Sequence, residues 1–346
     1  MPQKMKLKDI ASILEVSPAT VSRALKNDQH ISVETRRKVF ELANANRIIT
    51  EGKDSKNIFY LMDKAYFLHT SNFYNPLIEA IENTIQKAGY QFHFLTIQDA
   101  DALMNSLNYE EIAGIIITSP YIENIIPVLK VYGIPIVLLD SYIPTSDIFS
   151  VSSDNDTGVF RSIDYLRSNG HTRIGCLSGP KDDIDCVDRY YAYRKWMDIF
   201  GLEVMEDAIL NCQLSMSSSY EKMTSFLNSH EEIPTAFIGA NDMVTIGAMQ
   251  AVKDYGLKVP EDVSFIGFDG INLATEVAPS LTTVSVDRFT MGSVAVSYII
   301  DRIEKKEKTE TDYHKILINP VLKEGGSVST ITETSVVYRK NRKLIQ

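Results

Sequence analysis

Short apolar runs alternating with stretches of helical periodicity constrain most of this chain. Runs at residues 58–62, 91–95, 114–118, 134–139, 173–177, 236–239, 264–267 and 281–284 have strand length. Between them, helices are legible at 76–88, 157–168, 190–200, 243–255 and 291–305. This is the signature of parallel βα units. So many units exceed one ordinary sheet of five or six strands, so two α/β lobes are expected. A ligand would then lie between them, at the carboxyl ends of the strands.

The N-terminal part departs from that pattern. Residues 7–46 read as three short helices, with Leu7, Ile10, Ala11 and Leu14 on one apolar face, Val21 and Leu25 on a second, and Val39, Leu42 and Ala43 on a third. Residues 1–49 therefore form a small all-α headpiece. Residues 50–57 lack a large apolar side chain and read as a linker. Residues 58–330 form the two-lobed body, and 331–346 a basic tail.

Charge separates the same segments. The 346 residues carry a net charge of −10, yet residues 1–50 hold nine Lys/Arg against five Asp/Glu, so the headpiece is +4 and the remainder −14. A small basic end on an acidic body suits a polyanionic partner. The first 30 residues hold no continuous apolar run and no later stretch approaches a bilayer span, so the chain reads as unexported and cytoplasmic, without membrane contact. Cys176, Cys186 and Cys212 match no metal spacing and read as reduced, buried thiols. No metal site, cofactor motif or catalytic residue is legible: Gly-x-Ser-x-Gly, Gly-x-Gly-x-x-Gly after a strand and Gly-x4-Gly-Lys-Ser/Thr are all missing, and an enzyme is not expected.

Residues 7–25 carry the requirements of a helix-turn-helix in order. Ala11 is small enough for a second helix to cross closely, and Val16 plugs the turn. Ser17 is an N-cap, and Pro18 suits the first helical position. Val21 and Leu25 then face inward while Ala19, Ser22, Arg23 and Lys26 face out. A helix with a small N-terminal end can enter a major groove, where Arg23 has the fork to grip guanine. Ser32 caps the third helix, whose Arg36, Arg37 and Lys38 offer charge to phosphates.

Ser-Pro-Ala-Thr-Val-Ser-Arg (17–23) and Ile-Ser-x-x-Thr-Arg-x-Lys-Val (31–39) resemble the headpiece of LacI/GalR-family repressors. The resemblance continues through Gly-Ile-Ile-Ile-Thr (114–118), Asp-Asn-Asp-x-Gly (154–158), Gly-His-x-Arg-Ile-Gly (170–175), Ala-Asn-Asp-x-x-x-x-Gly-Ala (240–248), Gly-Phe-Asp (267–269) and Leu-Thr-Thr-Val (281–284), covering roughly residues 6–327. It implies a body like a periplasmic sugar-binding protein, assembly into homodimers or tetramers, and a repressor of carbohydrate-use genes that binds a double-stranded operator under control of a sugar effector. The DNA-contacting set it implies is Ser17, Pro18, Ala19, Thr20, Ser22, Arg23, Lys26, His30 and Ser32.

A sugar site needs charged and amide groups that hold several hydroxyls at once, plus an apolar face for the ring. Strand ends and their following loops supply Asp140, Asn241 and Asp269, and Arg189 lies where a loop enters a helix. The resemblance places these at the family's effector positions. Phe73 and Tyr74, just ahead of a helix, fall on its first-lobe effector loop, with Thr118 and Phe268 as weaker additions. Asp242 opens a helix and reads instead as a cap or a buried structural partner. A phosphocarrier protein or a purine corepressor would serve other branches of the family, and an exported sugar receptor would lack the headpiece.

The chain departs from the family in three places. Its linker has neither the Pro-Asn nor the minor-groove Leu of the usual hinge helix, Ala192 stands where Gly is usual, and residues 322–327 read Leu-Lys-Glu-Gly-Gly-Ser in place of Leu-x-x-Arg-x-Ser. The basic tail at 338–343 has no family counterpart.

Overall fold

The computed structural model describes residues 5–25, 28, 30–45, 55–98, 111–118, 126–131, 134–143, 148–305, 315–331 and 337–338. The expected three helices are α1 (Leu7–Ile13), α2 (Pro18–Leu25) and α3 (Val33–Ala45). Ile10, Ala11, Val21, Ala24, Val39 and Ala43 form their common core, with Leu14, Val16 and Leu42 packed against it. Ser17 Oγ accepts from Thr20 N at 3.0 Å and Ser32 Oγ from Thr35 N at 3.1 Å, so both helix starts carry a hydrogen-bonded cap. Glu15 adopts φ 54° to turn the chain between α1 and α2.

One headpiece expectation is corrected. Arg36 is buried and does not extend toward phosphates. Arg36 stands one turn before Phe40 on α3, so the two share a stripe of the helix. Phe40, on the same stripe, packs away from the headpiece core among Leu61, Ile97, Ile117 and Leu129. Leu25 faces inward as expected, half-buried and packed against both clusters, with Ala24 beside Val21 in the headpiece core.

Two compact units follow from the contacts, and the chain crosses between them at 152/153, 287/288 and 316/317. The first unit, which includes the headpiece, builds its sheet in the order β12-β5-β4-β3-β1-β2. Its strands are β1 (Asn57–Asp63), β2 (Gln91–Ile97), β3 (Ile112–Thr118), β4 (Ile136–Leu139), β5 (Ser150–Ser153) and β12 (Lys315–Ile318). Strands β1 to β5 pair in parallel. Helices α4 (Lys64–Lys87), α5 (Ile126–Val131) and α11 (Arg288–Lys305) belong to this unit.

In the second unit the order is β13-β11-β10-β9-β6-β7, from β6 (Ile174–Ser178), β7 (Ile209–Asn211), β9 (Ala236–Gly239), β10 (Ser264–Asp269), β11 (Thr282–Ser285) and β13 (Val321–Lys323). All neighbours are parallel except β13, which runs antiparallel to β11. Its helices are α6 (Asn155–Ser168), α7 (Ile184–Ile199), α8 (Met216–Ser229), α9 (Asp242–Asp254) and α10 (Leu273–Glu276). Numbered within its own unit, each five-stranded parallel core has the order 2-1-3-4-5. The units therefore repeat a topology that the sequence does not repeat, and each has a switch point beside its first strand.

The differences from the sequence reading have local causes. β5 is Ser-Val-Ser-Ser, fully buried but without the apolar signature. α4 begins at Lys64 and not at Pro76, because Asp63 accepts Tyr66 N at 2.8 Å as its N-cap. Pro76 removes one helical donor, and the buried face of Tyr74, Leu77, Ile81 and Ile85 carries the helix through. Phe73 and Tyr74 are thus helical residues, not a loop. α7 likewise starts early, capped by Asp183, so Arg189 sits in its second turn. Residues 50–54 of the expected linker lie outside the described residues and Asn57 already belongs to β1. Of the basic tail, Ile331, Val337 and Tyr338 are described; the last two form β14 against β8 (Glu232–Ile233).

The atypical 322–327 segment closes the second sheet. Ser327 is fully buried, its Oγ donating to Phe265 O at 2.6 Å and accepting from Thr282 N at 2.8 Å. Ser327→Ala strands one carbonyl and one amide, each with a desolvation cost of about 1–3 kcal/mol. A loss of ~2 kcal/mol or more is expected in urea unfolding followed by Trp196, the single tryptophan, which lies in this unit. An unchanged midpoint would show that the two bonds contribute nothing.

Candidate functional site

The second unit gathers charge at the carboxyl end of its sheet. Arg189 lies along the start of α7 with its side chain 11 % exposed, facing Asp269 at 12 %. Its Nε donates to Asn155 Oδ1 at 2.8 Å, and its Nη1 donates to Ala240 O and lies 3.4 Å from Asp269 Oδ1. The guanidinium carbon stands 3.7 Å above the Phe268 ring centroid, a cation–π contact in a desolvated place. Gly158 allows that ring its position, since a Cβ there would come within 2.5 Å of Phe268 Cε2. Asn155 is buried and donates in turn to Asp185 Oδ1 at 2.7 Å. The row Asp185, Asn155, Arg189, Asp269 therefore joins α7, α6 and β10.

Asn241 takes the helix cap, and Asp242 is a buried structural partner, one of the two parts expected of it. Asn241 is the N-cap of α9, its Oδ1 accepting Val244 N at 2.9 Å. Asp242 is buried inside the first turn and accepts from Thr283 Oγ1 at 2.5 Å and Ile271 N at 2.9 Å. The cap is Asn241 because it alone holds extended backbone, φ −153° and ψ 177°, as that position requires. Burial pushes the Asp242 carboxyl up to about 7, against the lowering by its Thr283, Ile271 and Gly270 donors.

The first unit has its own strand-end cluster. Tyr74, 1 % exposed, donates to Asp140 Oδ2 at 2.6 Å. Tyr60 donates to Thr118 Oγ1 at 3.0 Å, and Thr118 Oγ1 to Leu139 O at 2.5 Å. Burial and the nearby Asp140 charge raise the Tyr74 phenol well above its ordinary range, so it remains a donor. Phe73 is not part of this cluster; its ring meets Tyr74 edge-on at 4.9 Å and lies 5.3 Å from the Arg288 guanidinium. Neither aromatic is an exposed platform.

Asp140 and Asp269 follow or end the fourth strand of their units, and both hold left-handed backbone, φ 52° and φ 107°. Strained conformations of this kind concentrate at functional sites, where neighbours hold them. Sequence reasoning found both aspartates and missed Asn155, Asp185 and Tyr60. The Asp-Asn-Asp-x-Gly motif contained the signal for Asn155, whereas Tyr60 reads as one more apolar strand residue.

On the headpiece, Ser17, Pro18, Ala19, Arg23, His30 and Ser32 are exposed and Thr20 and Ser22 half-buried, along one continuous stretch at the start of α2 and the turn after it. Lys26 lies outside the described residues. Arg23 Nε bonds Asp28 Oδ2 at 2.6 Å, and His30 Nδ1 bonds Asp28 Oδ1 at 2.8 Å.

Residues 6–45 match the description "Bacterial regulatory proteins, lacI family", and residues 163–328 match "Periplasmic binding protein-like domain". The chain carries a lacI-family helix-turn-helix domain and a periplasmic-binding-protein-like domain. It is a DNA-binding transcriptional regulator. The HTH-type transcriptional repressor PurR of Haemophilus influenzae (strain PittEE) is 26 % identical over 334 residues, covering 94 % of this chain and 99 % of the relative. CytR of Escherichia coli (strain K12), also an HTH-type transcriptional repressor, is 27 % identical over 310 residues, covering 86 % and 89 %. The fold matches the transcriptional regulator CelR–cellobiose complex with a TM-score of 0.72 at 22 % identity, covering 93 % of this chain and 99 % of that one. It also matches the lac repressor dimer bound to operator and the anti-inducer ONPF, with a TM-score of 0.68 at 22 % identity, covering 94 % and 100 %. Among the described residues, no helix is long and apolar enough to cross a membrane.

The Asp242 carboxyl has a sign-definite consequence. Its folded pKa, about 7, lies above the ordinary 3.8, so the native state binds the extra proton between those values. Its stabilising contribution is complete below pH 4 and is lost as pH rises through 7. The stability margin of the wild type over Asp242→Asn should therefore shrink between pH 4 and pH 8 in urea titrations. A margin independent of pH would contradict the raised pKa.

Proposed function

We propose that this regulator is a repressor of carbohydrate-use genes that works in the cytoplasm as a homodimer, reads its operator through α2 and answers to a sugar effector. The observation that carries the effector reading is the Arg189 cluster: a guanidinium fixed by Asn155 and Ala240 O beside the strand-end carboxylate of Asp269. Paired donors and acceptors of fixed geometry suit vicinal hydroxyls. Asn241, whose Oδ1 is committed to its helix, contributes its Nδ2, and Phe268 supports Arg189 from below. In the first unit, Asp140 is the effector contact, with Tyr74 and Thr118 setting its surroundings and Phe73 packing behind them. Two solved relatives with sugars support this class of ligand: the CelR complex holds cellobiose, and a LacI-family regulator from Enterococcus faecium has bound ribose.

For the operator, the headpiece of residues 1–49 uses Ser17, Pro18, Ala19, Thr20 and Ser22 to bring α2 close to the groove. Arg23 reads base edges, while Lys26, His30 and Ser32 face the backbone. The chain is a binding protein with no catalytic task.

Two measurements test the two halves. A thermal-shift screen of mono-, di- and trisaccharides should yield a stabilising sugar, because a ligand specific to the native state raises stability by RT ln(1 + [L]/Kd). Arg189→Ala and Asp269→Asn should abolish that shift and leave sugar-free operator affinity within about twofold. Retention of the shift in both variants would place the sugar elsewhere. Arg23→Ala should lose operator discrimination of about 1–3 kcal/mol while keeping salt-dependent binding to any duplex. An unchanged footprint in that variant would remove α2 from the reading of bases.

A further inference from the structure

The ion pair beside α2 has no evident use in folding. Asp28 accepts three hydrogen bonds: from Arg23 Nε on Oδ2 at 2.6 Å, and from His30 N at 2.9 Å and His30 Nδ1 at 2.8 Å on Oδ1. Its own backbone is fixed as well, N donating to Arg23 O and O accepting from Ile31 N, each at 3.0 Å. The Arg23 and Asp28 side chains are 51 % and 27 % exposed. Pairs this open to water contribute little to stability. An acidic side chain on a surface that meets DNA also opposes binding, because it repels phosphates.

What the contact does is orient. A guanidinium has two hydrogen-bonding edges, one through Nε and one through the two Nη atoms. With Nε given to Asp28, the paired Nη edge is the one left whole for the two acceptors of guanine, O6 and N7. A long side chain already held in place also loses less rotamer freedom on binding. We propose that Asp28 is the positioning residue for base reading: anchored by the His30 backbone and ring, it holds Arg23 by Nε and presents the Nη edge to a guanine. The donors around Asp28 hold its carboxyl well below the usual range, so the clamp stays charged at neutral pH.

This inference rests on the proposed DNA-reading role of α2, and its test separates the two. A random 20-bp duplex library is enriched with the full-length protein. Affinities are then measured for the enriched duplex, for versions with each guanine of a half-site replaced, and for a mixed-sequence duplex. Asp28→Ala should bind the mixed duplex at least as tightly as wild type, since a negative charge is gone, with an unchanged salt slope. It should lose about tenfold discrimination at the one guanine that Arg23→Ala also ceases to read. The double variant should lose no more than Arg23→Ala alone, and Asp28→Asn, which keeps a carbonyl acceptor, should retain most of the discrimination. Equal weakening on every duplex, or losses that add in the double variant, would overturn the positioning role while leaving Arg23 as a reader. If Arg23→Ala reads every guanine as the wild type does, both proposals fall together.

Discussion

A guanidinium taken almost out of water must have its N–H groups met, and the second unit is arranged around meeting those of Arg189. The cost of stranding such a charge, several kcal/mol for a buried ion without a partner, ties four pieces of chain to one atom group. α7 carries the arginine, α6 supplies Asn155, the turn before α9 supplies Ala240 O, and β10 supplies both Asp269 and the Phe268 face. Each depends on a local device described above: the Asp183 cap that starts α7 early, Gly158 that makes room for Phe268, and the left-handed turn that brings Asp269 to the end of its strand. The same cluster that fixes the sheet ends is the proposed sugar site. A hydroxyl-rich molecule competing for these donors and acceptors would act on all four elements at once.

The first unit solves the same problem with less charge. Its fourth-strand aspartate, Asp140, is met by a phenol in place of a guanidinium, and a second phenol, Tyr60, holds Thr118 in place. Both phenols are fully buried, where burial favours their neutral, donating form. Two units of one strand order thus share a strand-end aspartate, which a guanidinium meets in one and a phenol in the other.

Legibility in the sequence followed burial and local chemistry. Helix starts with a Ser-x-x-Thr cap, at Ser17 and Ser32, were readable because the cap is made by neighbours in the chain. The central strands β1, β3 and β10 were readable because burial on both faces leaves them apolar. β5 was not, since its serines are polar and nothing local announces their burial. Pro76 marked a helix start by its usual preference, and the packed face of α4 overrode it. Of the site, Arg189, Asp140 and Asp269 could be named because each stands in a family motif, whereas the pairings that give them meaning, Asn155 with Arg189 and Tyr74 with Asp140, join residues 34 and 66 positions apart. Which of Asn241 and Asp242 caps α9 turned on backbone angles that the sequence does not state.

The central claim is that a sugar held by the Arg189 cluster and an operator held by the headpiece are coupled in one molecule. Coupling of this kind is reciprocal: a sugar that changes operator affinity by some factor must have its own affinity changed by the same factor when operator is bound. Calorimetric titration of the sugar found by thermal shift, with and without the library-selected duplex at saturation, measures it directly. The account predicts a change in sugar affinity of about fivefold or more, equal to the change in operator affinity that the sugar causes. Sugar affinity that is the same with and without operator would contradict it.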